Sequence, residues 1–147
     1  DPEIAWAGLT ENEAREQKID VAVERFPWKF SGRAATTGSP LGLTKMLVDP
    51  ASKRVLGVGI TGRGAEGLIA EGVLAIEMGA LADDVALSIH AHPTLAEANK
   101  YVAGNWKRAH APARLLQWVE RWHAWRRGKN RKAEQPDGLL APAREEQ

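Results

Sequence analysis

The segment His90-Ala91-His92-Pro93-Thr94-Leu95-Ala96-Glu97 carries residue types suited to proton transfer. Two histidines at positions i and i+2 face the same way in an extended chain. Glu97 can hold the imidazole of His92 in one tautomer and raise its basicity, which is general acid–base chemistry near neutral pH. Pro93 restricts His92 to extended geometry, and the bond between them is a candidate for the cis form.

Two other interpretations of Glu97 remain open at this point. Thr94 followed three residues later by Glu97 is also a capping box, in which the carboxylate only caps a helix. Alternatively, His90, His92 and Glu97 ligate a metal ion, but three ligands at this spacing are a weak zinc pattern and we expect no metal site.

A second motif, Gly62-Arg63-Gly64-Ala65-Glu66-Gly67, matches the G-x-G-x-x-G pattern between a predicted strand and a predicted helix. That is the setting of a dinucleotide-binding turn. However, Glu66 and Glu71 would repel a pyrophosphate, and the preceding strand pairs in a hairpin and not in a βαβ unit. We therefore interpret the glycines as a tight turn with close strand-to-helix packing, and rank a nucleotide site last.

The elements that must position these residues follow from hydrophobic period, capping residues and turn residues. In chain order, the sequence predicts an edge strand over 1–9, a helix over 11–17, strands over 21–26, 43–48 and 54–60, and helices over 68–79 and 81–88. The last two strands form a hairpin. Strands followed by segregated helices indicate an α+β fold, with an antiparallel sheet and helices packed on it.

Composition excludes several classes of protein. The 147 residues contain no cysteine, so they hold no disulfide framework, no thiolate zinc site and no cysteine nucleophile. The length fits one domain plus a tail. No apolar run reaches the length of a membrane span and no signal-peptide pattern is present, so we expect a soluble, cytoplasmic protein.

The net charge of +1 conceals an asymmetry, since residues 1–100 carry −4 and residues 101–147 carry +5. This shift predicts a domain over 1–105 and a Trp/Arg-rich tail over 106–147. Leu115, Trp118, Trp122 and Trp125 have helical spacing, so we expect the tail to be partly helical, with residues 135–147 disordered. Three interpretations of this row of apolar residues remain open. It packs on the domain or is solvated as part of an ordinary helix, or it belongs to a basic amphipathic segment that binds a membrane surface, nucleic acid or a partner helix. Alternatively, the tail is not an evolved structure.

The segment His90–Glu97 resembles the C-terminal signature of the pyridine nucleotide-disulfide oxidoreductases. Three further segments, in matching order and spacing, narrow the resemblance to the dihydrolipoamide dehydrogenase branch: 1–10 (DPEIAWAGLT), 26–34 (FPWKFSGRA) and 71–80 (EGVLAIEMGA). The resemblance covers about residues 1–99 and stops soon after Glu97.

This resemblance implies an interface (dimerisation) domain, an antiparallel sheet with helices on it, that acts in a homodimer. His92 would be the base that takes a proton from a dithiol substrate at the partner subunit's flavin and redox disulfide. Glu97 would orient His92. His90 and Pro93 would lie near the partner's flavin, with His90 as a structural flank of the motif.

The resemblance also implies FAD and NAD in a complete enzyme that oxidises dihydrolipoamide, with the lipoyl domain of a 2-oxo acid dehydrogenase complex as partner. Because the redox cysteines and both cofactor domains are absent from these residues, we expect a fragment that is inactive alone and binds no cofactor alone. We expect no membrane or nucleic-acid partner, the basic tail being the exception. The alternatives are a non-catalytic dimerisation or binding module, or the same domain of a mercuric or glutathione reductase.

Overall fold

A computed structural model of the chain describes residues 2–111 and 113–133. The chain divides into two compact units, residues 1–110 and residues 111–147. The first unit contains the sheet, five helices and both histidines of the His-Pro-Thr segment.

Four antiparallel strands form the sheet in the order β1-β4-β3-β2. They are β1 Glu3–Gly8, β2 Ala22–Pro27, β3 Leu43–Val48 and β4 Val55–Gly62. All four were predicted, β1 as an edge strand and β3–β4 as a hairpin. The hairpin connection is held by Asp49, whose carboxylate accepts the N–H of Ala51 at 2.9 Å and the hydroxyl of Ser52.

The first unit has five α-helices among the described residues. They are α1 Glu11–Glu16, α2 Gly32–Thr36, α3 Ala65–Glu77, α4 Ala82–Leu87 and α5 Glu97–Ala109. Helix α1 begins with a capping box, since Glu13 N–H donates to the Thr10 hydroxyl and Thr10 N–H donates to the Glu13 carboxylate. A turn of 3-10 helix, Trp28–Phe30, links β2 to α2. The α+β fold is therefore confirmed.

Helices α3 and α5 cover one face of the sheet, α3 over β4 and β1, α5 over β2 and β3, while α4 packs on α5. Four residues lie side by side across the strands beneath them: Ala5, Ile60, Thr44 and Phe26. Since alternate strand residues point to opposite faces, the neighbouring row of Trp6, Gly59, Lys45 and Arg25 lies on the other face. There Glu11 of α1 binds Arg25 at 2.7 Å and Lys45 at 2.9 Å.

Helix α3 approaches β4 closely at Gly72. A Cβ atom at Gly72 would lie 2.9–3.1 Å from side-chain atoms of Val58, which is too close for an unshifted contact. The helix ends before Gly79, whose φ of 62° is the left-handed conformation in which a glycine commonly ends a helix. The position of α3 on the sheet is therefore set by backbone-level packing, which matters because α3 supports the candidate site.

Helix α5 crosses the predicted domain boundary between residues 105 and 106. Trp106, assigned to the tail on composition, is only 3% exposed and belongs to the core of the first unit. The two units divide after His110. The charge shift does not reveal the domain edge, because that edge depends on which side chains pack in the core.

The second unit contains α6, Ala113–Ala133, so the helical part of the predicted tail is present. Trp118, Trp122 and Trp125 are exposed, and the guanidinium of Arg126 lies 4.8 Å from the centre of the Trp122 ring. The disorder predicted for residues 135–147 lies outside the described residues, as does the side chain of Leu115. Among the described helices, none is both long and apolar enough to cross a bilayer.

Candidate acid–base site

The candidate site lies on the connection between α4 and α5. The chain leaves α4 at Leu87 and enters α5 at Glu97, with bends at His92 and Pro93. The peptide bond between His92 and Pro93 is cis. This connection presents His92 to solvent and places Glu97 at the start of a buried helix.

His92 and Glu97 form the hydrogen-bonded pair that their spacing allows. The Nδ1 atom of His92 lies 3.0 and 3.1 Å from the two carboxylate oxygens of Glu97. Because an ionised carboxylate only accepts hydrogen bonds, Nδ1 carries the proton, and Nε2 of the neutral ring keeps its lone pair. The His92 side chain is 71% exposed and that of Glu97 only 10%, so the ring reaches solvent from a buried support.

Glu97 receives two further hydrogen bonds that fix its carboxylate. The N–H of Thr94 donates to Oε2 at 2.9 Å, and the hydroxyl of Tyr101 donates to Oε1 at 3.1 Å. Burial raises the pKa of Glu97, but the hydrogen bonds from Thr94, His92 and Tyr101 together outweigh it and hold the pKa below its usual value. Glu97 is therefore ionised at neutral pH and keeps the proton of His92 on Nδ1.

Tyr101 shows the complementary effect. Burial, and then the hydrogen bond to the Glu97 carboxylate, raise the pKa of the Tyr101 phenol. Its ring also contacts that of Phe26, with the two centroids 4.9 Å apart. Sequence reasoning missed Tyr101, although its position four residues after Glu97 on a helix was an available signal.

The capping box predicted at Thr94 is only half present. Glu97 accepts the Thr94 N–H as a capping box requires, but the Thr94 hydroxyl donates to the carbonyl of Ala91 at 2.8 Å. Helix α5 begins at Glu97 itself, with Ala96 as the preceding residue. The carboxylate therefore both supports the turn and binds His92, so the two interpretations of Glu97 are not exclusive.

The expectation that His90 and His92 face the same way is wrong. The His90 side chain is only 8% exposed, and its Nε2 lies 2.9 Å from Oε1 of Glu71 on α3. The alternation of an extended chain does not apply because the segment bends at His92 and Pro93. Within the described residues, no group of three histidine or acidic side chains is placed to hold a metal ion.

Sequence reasoning also missed Glu71, which forms a hydrogen bond with His90, and Asn99, which forms one with Glu71. Glu71 lies 19 positions before His90, and Asn99 donates from Nδ2 to Oε2 of Glu71 at 2.9 Å. Sequence reasoning treated Glu71 as a charge that would repel a pyrophosphate and as the first residue of segment 71–80, and it gave Glu71 no hydrogen-bond partner. No local pattern could reveal this cluster because its members come from different elements.

The glycine motif does not form a nucleotide-binding turn. Strand β4, which precedes it, is antiparallel to both of its neighbours. The N–H of Glu66, in the first turn of α3, donates to the carboxylate of Glu3 at 3.1 Å, so an anion of the chain itself already lies at this helix terminus. Gly62, with φ 146°, makes room for the Trp28 ring, since a Cβ there would lie 2.4 Å from it. The tight-turn interpretation agrees with this geometry.

Comparison with protein families identifies the family to which the first unit belongs. Residues 1–103 match the family described as pyridine nucleotide-disulphide oxidoreductase, dimerisation domain. The chain is 50% identical over 97 residues to dihydrolipoyl dehydrogenase of Buchnera aphidicola (subsp. Acyrthosiphon pisum), covering 66% of this chain and 20% of the relative. The corresponding enzyme of Haemophilus influenzae is 47% identical over the same shares. The chain thus spans about a fifth of the length of these curated relatives.

Solved structures show the same fold. The chain resembles LpdA from Mycobacterium tuberculosis with a TM-score of 0.68 and 19% identity, over 71% of this chain and 23% of that one. It also resembles the HOCl-induced flavoprotein disulfide reductase RclA from Escherichia coli, with a TM-score of 0.65 and 24% identity, over 69% and 23%. At these identities the likeness concerns the fold alone.

Proposed function

Because the chain belongs to the dimerisation-domain family of the pyridine nucleotide-disulphide oxidoreductases, we propose that it serves as the interface domain of a dihydrolipoyl dehydrogenase. The observation that carries this proposal is the His92–Glu97 pair, an exposed imidazole held by a buried carboxylate. The relatives named dihydrolipoyl dehydrogenase support the choice of substrate, a dithiol such as dihydrolipoamide.

His92 acts as the general base in this proposal. Its Nε2 accepts the proton of a substrate thiol, and the resulting thiolate is the stronger nucleophile. Glu97 stabilises the imidazolium that forms, because its ionised carboxylate lies 3.0 Å from Nδ1. In the overall reaction the dithiol loses two protons and two electrons and becomes a disulfide.

The electrons leave through groups that these 147 residues do not supply. The chain has no cysteine to form a redox disulfide, and the described residues provide no nucleotide-binding turn, since Glu3 occupies the amide at the start of α3. FAD and NAD would carry the electrons in the complete enzyme, bound by its other parts. We therefore propose that the 147 residues alone do not oxidise dihydrolipoamide.

A homodimer would bring His92 to the partner subunit's active site. The surface that fits this role consists of exposed apolar residues beside the site, which we call the α3–α4 patch: Val73, Leu74, Met78, Leu87 and Ile89. A groove of about 380 Å³ is lined by two of them, Leu74 and Met78, and reaches Glu71. Exposed apolar residues grouped on neighbouring elements are typical of interaction sites, and Ile89, 97% exposed, immediately precedes His90.

The test is turnover of the complete enzyme that contains this domain, with dihydrolipoamide as reductant and NAD as acceptor. Replacing His92→Ala should lower kcat by about 10²–10⁴-fold, the usual contribution of a general base. His110→Ala is the matched control, because His110 stacks on Trp106 at the far end of α5 and is outside the proposed site. An H92A enzyme with kcat near that of the wild type would refute the assignment.

The same assay separates the substrate alternatives. Activity toward dihydrolipoamide, with none toward glutathione disulfide or Hg²⁺, is the expected result. A preference for either of the other substrates would assign the domain to a glutathione or mercuric reductase. Absence of all three activities in the complete protein would favour a non-catalytic dimerisation module.

A further inference from the structure

His90 is a buried titratable side chain that the proposed proton transfer does not use. Its side chain is shielded, with Nδ1 lying 3.1 Å from the backbone carbonyl of Ser88 and Nε2 lying 2.9 Å from the Glu71 carboxylate. The carbonyl always accepts and an ionised carboxylate only accepts, so a neutral ring, which carries one proton, donates to one of them at a time. The ring therefore has an acceptor beside each nitrogen, whereas the ring of His92 has a side-chain partner at Nδ1 alone within the described residues.

Glu71 connects His90 to the helix on the other side of the site. Its Oε1 binds His90, and its Oε2 accepts a hydrogen bond from Asn99 Nδ2 at 2.9 Å. Asn99 lies in the first turn of α5, two positions after Glu97, and also donates to the backbone carbonyl of Leu68 at 3.1 Å. One carboxylate thus binds both ends of the connection that carries His92.

The orientation of Asn99 follows from these two donor bonds. Its Oδ1 is buried and has no hydrogen-bond partner within the described part of the chain. A buried amide oxygen without a hydrogen-bond partner lowers the stability of the folded state, so other contacts must hold the side chain in this orientation. Asn99 is therefore held in this rotamer by Glu71 and Leu68 on α3.

We propose that Glu71 and His90 are positioning residues that hold the His92 ring in place on the α4–α5 connection. This proposal rests on the proposed function only in taking His92 as the general base; the positioning of the ring does not depend on it. In the described residues, the one side-chain partner of His92 is Glu97. The contact between them therefore depends on where the backbone places residue 92 relative to the start of α5. Glu71 sets that placement from α3, which Gly72 holds tightly against β4.

A purely structural role for the cluster gives a different expectation. If Glu71 and His90 only stabilised the fold, removing their bond would lower the free energy of unfolding and leave the His92 ring unchanged. If they position His92, removing the bond loosens the contact between His92 Nδ1 and Glu97. The neutral ring then loses its preference for the proton on Nδ1, and both tautomers are populated.

The experiment is ¹⁵N NMR of the histidine rings in the full 147-residue chain at about pH 9, above the ordinary pKa of imidazole. In the wild type, His92 should show one protonated nitrogen, Nδ1, and one unprotonated nitrogen, Nε2. Glu71→Leu and His90→Phe break the same bond from opposite sides, and each should move both His92 nitrogens toward averaged shifts. Glu77→Leu, an exposed position on the same helix, is the control and should leave the spectrum of His92 unchanged.

Glu71→Gln is the rescue variant. A glutamine can accept the bond from Asn99 through its oxygen and donate through its amide to the neutral ring of His90, so the wild-type tautomer of His92 should be retained. The proposal is overturned if a folded E71L or H90F chain keeps the wild-type His92 spectrum, or if folded E71Q shifts as far as E71L. Should one of the two bond-breaking variants fail to fold, the other still decides the question.

Turnover separates this inference from the proposed function. In the complete enzyme, E71L should lower kcat by about 10–10²-fold, since a shift of about 1 Å in a reacting group has effects of this size, while E71Q stays near the wild type. If H92A is fully active, the proposed function fails whatever the NMR result. If H92A is inactive and E71L is as active as the wild type, the positioning role fails alone.

Discussion

His90 and His92 differ at the residue scale through their partners and not through their chemistry. One ring is buried between a backbone carbonyl and a carboxylate of α3, and the other projects into solvent from the carboxylate that begins α5. A base needs an accessible lone pair and a fixed tautomer, and of these two rings only that of His92 combines them. This difference supports the proposed roles, proton transfer for His92 and anchoring for His90.

Glu97 should make stability depend on pH in a defined direction. Its pKa is lowered in the folded state, so its contribution is fully present above the ordinary carboxyl pKa and is lost as pH falls through the lowered value. Glu97→Gln should cost about 1–3 kcal/mol at pH 7, because the donors of Thr94, His92 and Tyr101 lose their anionic acceptor. Urea unfolding at pH 7 and pH 3 checks this, and the loss between the two should be smaller in E97Q than in the wild type.

The control for that measurement is Glu77→Gln, an exposed carboxylate on α3. Its unfolding free energy should differ from that of the wild type by less than about 0.5 kcal/mol at both pH values. Equal pH profiles for E97Q and the wild type would contradict the assignment of the acid-sensitive stability to Glu97.

Tyr101→Phe tests the third hydrogen bond to Glu97. The variant keeps the ring contact with Phe26 and removes only the hydroxyl that donates to Oε1. We expect a loss of about 0.5–1.5 kcal/mol in the free energy of unfolding. Chemical denaturation measures it, and an unchanged midpoint would show that water replaces the phenol without cost.

At the scale of elements, α3 joins the sheet to the site. Its outer face contributes to the α3–α4 patch, its inner face packs on β4, and Glu71 projects from it to both ends of the α4–α5 connection. A displacement of α3 on the sheet would therefore reach His92 through Glu71.

A pair of glycines on α3 tests how closely the helix must approach β4. Gly72→Ala should destabilise the chain by about 1–3 kcal/mol, because the new methyl group would lie 2.9–3.1 Å from Val58. Gly67→Ala meets open space on the same helix and should stabilise it by about 0.5–1 kcal/mol. Thermal and urea unfolding of the two variants should shift in opposite directions; shifts of the same sign would refute the close approach.

The whole molecule has two units of different character. Within the described residues, the main cluster of buried hydrophobic side chains runs from Phe26 to Trp106 and lies in the first unit. The helix of the second unit exposes three tryptophans and has a strongly basic sequence. The His92–Glu97 pair and the α3–α4 patch, on which the proposed function rests, both lie in the first unit.

Dimerisation through the α3–α4 patch is testable by light scattering on the full chain. Leu74→Asp should weaken the dimer by about 10²-fold or more, since burying an unpaired carboxylate costs several kcal/mol. Leu41→Asp is the matched control, because Leu41 is 87% exposed but lies outside the patch. Dissociation in both variants, or in neither, would mean that the patch is not the dimer contact.

Removing residues 111–147 should leave the first unit intact. We expect its free energy of unfolding to change by less than about 0.5 kcal/mol, since the core cluster ends at Trp106. Near-ultraviolet circular dichroism and thermal unfolding of residues 1–110 provide the measurement. Loss of cooperative unfolding would show that the second unit belongs to the same folding unit.

The sequence by itself determined the features that depend on residues close together in the chain. The hairpin β3–β4, the capping box at Thr10 and the proximity of His92 to Glu97 all follow from spacings of a few residues. Alternation, helical period and capping chemistry act locally, so they can be read without the fold. Several segments with the order and spacing of a known family also predicted which family the chain belongs to, and the family comparison confirms that prediction.

Only the tertiary structure decided which distant residues meet. Glu71 is 19 positions from His90, and Glu3 is 63 positions from the Glu66 amide that it caps. Any of several carboxylates has the chemistry for either contact, and the choice depends on how α3 packs against β1 and β4. The burial of Trp106 was likewise hidden, because composition records which residues are present and not which of them the core encloses.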